Sequence, residues 1–347
     1  MAQKKVTLKE IAKRTGVSLG TVHRAIYGKA GISEKTRARI LEEVKRSHYQ
    51  IDEAASVLKR SAKRVVVVLP GVRSEDQFYF RGLWKGIRQA ARGMEQYKIY
   101  FQCIVSEYPL SEMWRELEKV YDEMLDDIDG LITIADSEKA NVWISRFARR
   151  GISTVLLSSY YEDHSMEVSC IKVDHKRCGR LAAEFMRYGL KENGGKVLMF
   201  CGKREIYSNR IYAENFEEEL RKSGYEIIKV EGFGREEIEE AASGILKNER
   251  IQGIFMNNAR NTYSVCGILQ ELQLGRDMMV VGTDAFQELS PYFEEGILNA
   301  VICQYHWQQG AHAVKKMYEY LSRGIQDKED EILSPVLLLK NNYSCFL

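Results

Sequence analysis

The sequence predicts an N-terminal all-α head joined to an α/β two-lobed body, and three observations carry that expectation. Short capped helices fill residues 7–46, strand and helix patterns alternate from residue 64 onward, and the two regions differ in charge. The first 64 residues hold 16 Lys and Arg against 6 Asp and Glu, while the remainder holds 35 against 43. A net charge of +2 therefore conceals a basic head on an acidic body. At 347 residues the chain exceeds one average domain and leaves room for two lobes with their own cores.

The head reads as three helices. Thr7 and Glu10 form a capping box, each side chain satisfying a free backbone N–H of the first turn. Leu8, Ile11 and Ala12 make the apolar face that follows. Gly16 permits a tight turn and Ser18 can cap the second helix. Val17, Val22 and Ile26 continue the buried stripe, which leaves Ser18, Leu19, Gly20, Thr21, His23 and Arg24 facing outward. Ser33 caps a third helix carrying Ile40, Leu41 and Val44. A tight turn between two short helices, the second polar and basic, is the layout of a helix-turn-helix reader of double-stranded DNA. Basic residues suit that role because each cation placed on the duplex releases a condensed counterion.

The body alternates β-branched runs with amphipathic helices. The pattern predicts strands over 64–69, 99–105, 130–134, 153–157, 169–173, 196–201, 225–230, 253–256, 278–281, 299–303 and 336–339. Intervening stretches such as FYFRGLWKGIRQAARGM and HKRCGRLAAEFMRYGL carry helical spacing. Strict alternation argues for parallel sheets covered on both faces, which bind ligands outside the carboxyl ends of their strands. Two such halves leave a cleft for a small molecule. Asp136, directly after LITIA, can accept ligand hydroxyls or cap the next helix.

Several function classes are disfavoured. No run of 18 apolar residues exists and MAQKKVTLKE lacks a secretory h-region, so the expectation is a cytoplasmic protein without membrane contact. The seven scattered cysteines suit isolated buried thiols better than a disulfide frame or a metal site, and no cofactor is expected. No Gly-rich phosphate loop or Gly-x-Ser-x-Gly elbow is present, so no enzyme is expected. Asp174-His175 looks at first glance like nucleophile-support chemistry.

The segments VTLKEIAKRTGVSLGTVHRAI, ISEKTRARI and YQIDEAASVLKR resemble the head of the lac repressor (LacI/GalR) family of transcription regulators. The body resembles the periplasmic sugar-binding-protein-like fold that this family uses as an effector domain. The resemblance divides the chain into a DNA-binding domain over 1–50, a hinge over 51–63 and a ligand-binding and dimerisation domain over 64–347. It implies that Leu19, Gly20 and Arg24 face bases, while Ser18, Thr21 and His23 meet the DNA backbone. Arg24 can pair with guanine, a contact worth about 1–3 kcal/mol of discrimination. Leu58 stands at the position of a leucine that wedges into the minor groove. Ile51-Asp52 departs from the family's Pro-Asn at the hinge, which removes a preset φ.

In the body the resemblance places Gln77, Tyr79 and Phe80 on the cleft, the two aromatics having core packing as an equal alternative. Arg210, six residues before Phe216, stands where related receptors clamp a sugar. Asp284 in VVGTDAF and Gln304 in VICQYHWQQG match further ligand positions, and Asn258 is a fourth. At Asp174-His175 the family that the chain resembles has a structural turn entering a helix. The expected function is a sequence-specific DNA-binding regulator, in the repressor sense, controlled by a small effector of the sugar class. The alternatives are a purine or another anionic effector, a solute-binding receptor, and a sugar-modifying enzyme with a fused head. The expected assembly is a homodimer on a near-palindromic operator. The tail VLLLKNNYSCFL carries no leucine heptads that would build a tetramer.

Overall fold

The computed structural model describes residues 6–26, 31–47, 61–72, 77–135, 137–158, 160, 168–190, 194–323 and 328–347. In the head, helices α1 (Leu8–Thr15), α2 (Leu19–Ile26) and α3 (Glu34–Arg46) pack around Ile11, Ala12, Val22, Ala25 and Ile40. The capping box forms as expected: Thr7 N–H donates to Glu10 Oε2 at 2.7 Å and Glu10 N–H donates to Thr7 Oγ1 at 3.3 Å. Gly16 takes the left-handed conformation (φ 66°) that ends α1, where a side chain would be strained. Leu41 differs from expectation, being 43% exposed. The inward position on α3 belongs instead to Glu43, whose carboxylate is paired with Arg14 at 3.2 Å and Arg46 at 2.5 Å.

The body holds two six-stranded sheets. The first, in the N-lobe, orders its strands β11-β5-β4-β3-β1-β2, all parallel. Its members are β1 (Lys63–Pro70), β2 (Ile99–Ser106), β3 (Gly130–Ile134), β4 (Ser153–Leu157), β5 (Ser169–Val173) and β11 (Glu331–Leu333). The second, in the C-lobe, orders β12-β10-β9-β8-β6-β7, with only the β10–β12 pair antiparallel. It comprises β6 (Lys196–Cys201), β7 (Glu226–Glu231), β8 (Ile251–Met256), β9 (Met279–Thr283), β10 (Ala300–Cys303) and β12 (Val336–Leu339). All eleven expected strands are present within two residues of their expected ends. The unforeseen one, β11, is three residues long and follows a charged run, so no periodicity marks it.

Helices cover both sheets. They are α4 (Gln77–Ala91), α5 (Trp114–Met124), α6 (Glu138–Arg149), α7 (His175–Gly189), α8 (Tyr207–Arg221), α9 (Gly234–Asn248), α10 (Ala259–Glu271), α11 (Ser290–Glu294), α12 (His306–Arg323) and α13 (Lys340–Tyr343). Val65–Leu69 of β1 have no solvent exposure, as a parallel strand buried on both faces requires. Glycine sets the close helix contacts. A Cβ on Gly86 of α4 would collide with the Trp307 carbonyl of α12, and one on Gly179 of α7 with the Tyr212 carbonyl of α8.

The chain passes between the lobes three times. β5 leads into α7 at Val173–His175, β10 leads into α12 at Cys303–His306, and β11 leads into β12 at Leu333–Val336. The first and third crossings are tied by Asp174 N–H donating to the Leu333 carbonyl at 3.0 Å.

Candidate functional site

Two surfaces fit the expected chemistry. On the head, Ser18, Leu19, Gly20, His23 and Arg24 are exposed and Thr21 is half-buried. Thr21 N–H donates to Ser18 Oγ at 3.1 Å, and the two hydroxyls lie 2.8 Å apart, so this pair caps α2. Arg37 of α3 donates to the carbonyls of Arg24 and Ala25 at 3.4 and 3.5 Å, which anchors the C-terminal end of α2. A rigid helix with one open face results, with Leu19 presenting a 44% exposed apolar side chain. Leu58 and the rest of 51–60 lie outside the described residues, so the hinge expectation does too.

The second surface is a cavity between the lobes, about 930 Å³ of space including its open mouth. Its position follows from topology. Each lobe has the order 2-1-3-4-5 for its first five strands, and the chain direction reverses across the sheet beside the first strand. Loops leaving the carboxyl ends there diverge and open a crevice. From the N-lobe come Phe78, Tyr79 and Phe80 of α4, Leu110, Ile134, Ala135, Leu157, Ser158 and Tyr160. From the C-lobe come His175 of α7, Ile206, Tyr207, Ser208, Asn209 and Tyr212 around the start of α8, and Phe233. Asn257, Asn258, Ala259 and Arg260 after β8, Asp284 after β9 and Gln304 after β10 complete it.

Of the residues expected at the ligand, Tyr79, Phe80, Asn258, Asp284 and Gln304 stand on this lining, and Gln77 and Arg210 do not. Gln77 is the first residue of α4 and accepts from Arg81 at 3.3 Å. Arg210 donates to the Arg204 carbonyl at 3.4 Å and lies 5.7 Å from the Tyr207 ring centroid. Arg210 is only one turn from the lining residue Tyr207, and its guanidinium is held back on the Arg204 carbonyl beside that ring. Asp136 lies outside the described residues.

Much of the polar lining is bonded to itself. Asn258 caps α10 by accepting from Asn261 N–H at 2.9 Å, and its amide donates to Asn257 Oδ1 at 3.1 Å. Asn257 in turn accepts from Gly202 N–H at 3.0 Å and donates to the Asn209 carbonyl at 2.9 Å. Asp284 sits in the left-handed region (φ 71°), where aspartate is better tolerated than most side chains. Its two oxygens accept from Gln304 Nε2 at 3.2 and 3.1 Å, and His306 Nε2 lies 3.1 Å from Oδ1. Asp284 and Gln304 thus reach the cavity as a mutually bonded pair at the second crossing. Tyr79 packs on His306 with ring centroids 4.0 Å apart, and burial, only partly opposed by a hydrogen bond with Ser158, holds its phenol far above the usual range.

The residues unforeseen from sequence include Phe78, Ser158, Tyr160, Ser208, Asn209, Phe233, Arg260 and, most consequentially, His175. Asp174 caps α7 through Arg177 N–H at 3.1 Å, as a structural turn should. His175 beside it is 7% exposed, and its Nε2 lies 3.1 Å from the Ser158 carbonyl. Desolvation by burial lowers its pKa to about 4, so the imidazole is neutral near pH 7. His175, Phe233 and Arg260 sit just past a strand end, a position that the strand assignments already offered, whereas Ser208 and Asn209 lie in the first turn of α8. The signal was there in principle but had no residue pattern to separate lining from loop.

Rings line both walls, amides and a carboxylate are concentrated on the C-lobe wall, and an exposed helix-turn-helix face is present in the same chain. Together these define the class, a helix-turn-helix unit carried on a two-lobed ligand-binding fold. The chain belongs to the periplasmic binding protein domain family, whose model matches residues 65–325, and its head, residues 7–51, matches the model of the lacI family of bacterial regulatory proteins. It is 26% identical over 212 residues to the HTH-type transcriptional regulator pepR1 of Lactobacillus delbrueckii subsp. lactis, covering 61% of this chain and 60% of that one. Against catabolite control protein A of Streptococcus mutans the identity is 24% over 223 residues, covering 63% and 62%. Against the sucrose operon repressor of the same organism it is 23% over 307 residues, covering 82% and 84%. The chain thus spans about 60% of the length of the first two. Among solved structures, a glucose-galactose binding protein from Geobacillus stearothermophilus aligns at 19% identity with a TM-score of 0.69, covering 82% of this chain and 99% of that one. A solute-binding protein from Bacillus halodurans with bound myo-inositol aligns at 17% identity and TM-score 0.71, covering 83% and 98%. These likenesses concern the fold.

Proposed function

We propose that the protein is an operator-binding transcriptional repressor whose DNA affinity is set by a small neutral polyhydroxylated effector, a sugar or sugar derivative, held between the lobes. Residues 1–50 read the DNA, 51–63 connect, and 64–347 bind effector and pair two copies. The observation that supports this most is a cavity with rings on both walls and with amides, a carboxylate and hydroxyls concentrated on the C-lobe wall. Ring faces suit the C–H patches of a pyranose, and amides and hydroxyls read its oxygens. Three hinge crossings allow the lobes to rotate about the ligand. Linkage then requires effector and operator to change one another's affinity by one factor, typically about 5- to 150-fold. Leu19, Gly20 and Arg24 supply base contact, with Ser18, Thr21 and His23 on the phosphates.

The test has two parts. Operator sequence is selected from a random duplex pool with the full-length protein, and binding is followed by anisotropy while neutral sugars, sugar phosphates and purines are added. Retention of a near-palindromic site, with a neutral sugar shifting its affinity, is the expected result. Response to purines or phosphorylated compounds alone would replace the effector and leave the regulator standing. Failure to enrich any sequence would remove the regulator itself. Arg24→Ala should weaken binding to the selected site by about 1–3 kcal/mol while sparing random DNA.

A further inference from the structure

His175 combines four properties. It is the first residue of α7, at the first crossing between lobes. It lines the cavity, it is 93% removed from solvent, and one of its ring nitrogens is committed while the other has no partner among the described residues. The committed atom is Nε2, 3.1 Å from the Ser158 carbonyl. A carbonyl only accepts, so Nε2 must carry the proton. In a neutral imidazole that leaves Nδ1 as a lone-pair acceptor. This nitrogen is sealed from solvent in the present lobe arrangement and finds no donor among the described residues. A buried acceptor without a partner is destabilising, and a ligand donor arriving from the cavity would relieve that.

We propose that His175 is a specificity-determining residue of the cavity, whose Nδ1 accepts a hydrogen bond from an O–H or N–H of the effector and disfavours a carboxylate or phosphate oxygen at that end. The proposal rests on the reading of the cavity as the effector site and adds the direction of one hydrogen bond to it. Two further features agree. Asp284, whose negative charge acts on His175, lines the same C-lobe wall, so an anionic group would meet a second acceptor there. Ser158, which fixes the tautomer, also bonds Tyr79 on the opposite wall, so the imidazole is oriented from the N-lobe while mounted on the C-lobe. A ligand donor on Nδ1 is therefore read only when the lobes hold this relation.

The test uses a pair of substitutions with opposite losses. His175→Gln keeps an N–H within reach of the Ser158 carbonyl and deletes the acceptor at Nδ1. His175→Asn sets a carbonyl oxygen near the Nδ1 position and gives up the Ser158 bond. Titration calorimetry on full-length protein would use D-galactose, D-arabinose, myo-inositol, D-galactonate and D-galactose 6-phosphate. For a neutral probe that binds the wild type, His175→Gln should lose about 5- to 100-fold in affinity, and His175→Asn should retain most of it. Neither anionic probe should bind better than its neutral parent. Unchanged affinity in His175→Gln, with the neutral probe still bound by the wild type, overturns the proposal and leaves the effector reading intact. Binding of anionic probes alone, or of none, overturns the effector reading and this contact with it. Nitrogen-15 NMR of the wild-type side chain checks the tautomer without any ligand: a proton on Nδ1 overturns the proposal whether or not either variant folds.

Discussion

The two walls of the cavity are built on the same strand order and finished with different chemistry. The N-lobe contributes Phe78, Tyr79, Phe80, Leu110, Ile134 and Leu157, a surface of rings and aliphatic carbon. The C-lobe contributes Ser208, Asn209, Asn258, Arg260, Asp284 and Gln304 beside its own rings Tyr207, Tyr212 and Phe233, and spends much of that polarity on its own caps and crossings. Topology decides where a ligand can sit, because both sheets open at the same switch point. What sits there is decided by the few residues directly after each strand. A polar wall that bonds itself is rigid before any ligand arrives, and rigidity of that kind sharpens discrimination among similar ligands.

The comparison breaks most severely where each wall is mounted. Gly86→Val and Gly179→Val each drive a side chain into backbone, on the N-lobe and C-lobe side respectively. Each should cost about 1–3 kcal/mol or more of stability. Scanning calorimetry should show a melting temperature lowered by about 2–4 °C per kcal/mol. An unchanged transition for either would mean that the close helix contact is not required. On the walls themselves, Tyr79→Ala should weaken effector binding by about tenfold or more, through loss of a large buried ring face. Ser208→Ala should change it less than fivefold, about one modest hydrogen bond. The reverse ranking, read by titration calorimetry, would invert the assignment of work between the walls.

A subtler difference appears with pH. Burial depresses the His175 pKa from 6.5 to about 4, so between those values the unfolded chain binds the extra proton and the folded one does not. Stability is then fully present above pH 6.5 and declines as pH falls toward 4. Replacing His175 by Gln should flatten that part of the melting-temperature profile, and an unaltered profile would assign the acid slope to other groups. The smallest effect belongs to the rim. Arg81 of α4 reaches Glu288 of the C-lobe at 2.7 Å, near the Phe78–Phe286 stack with centroids 4.3 Å apart. Both ion-pair partners are partly exposed, so Arg81→Ala should shift stability by less than about 1 kcal/mol, and by less still in high salt.

Most of the fold was legible because hydrophobic periodicity and caps are local. Thr7 with Glu10 and the β-branched runs of both sheets announced their structure within a few residues. The candidate site was legible only in part. Arg210 matched a spacing, but its guanidinium bonds the Arg204 carbonyl and stays off the lining. His175 read only as part of a structural turn because its partner, the Ser158 carbonyl, is 17 residues distant and belongs to the other lobe. Which polar groups remain open to a ligand depends on such nonlocal bonds, and no spacing in one chain encodes them.

The three crossings also govern how the polypeptide can be assembled. The N-lobe takes α12 and β11 from residues 306–333, with Ala313, Val314, Met317 and Tyr320 in its core, so its first 110 residues alone leave that core open. The C-lobe in turn awaits Leu338 and Tyr343. During synthesis neither lobe can close until nearly the whole body has left the ribosome, and both then close almost together. Cutting the chain once, at any crossing, cannot yield two complete lobes.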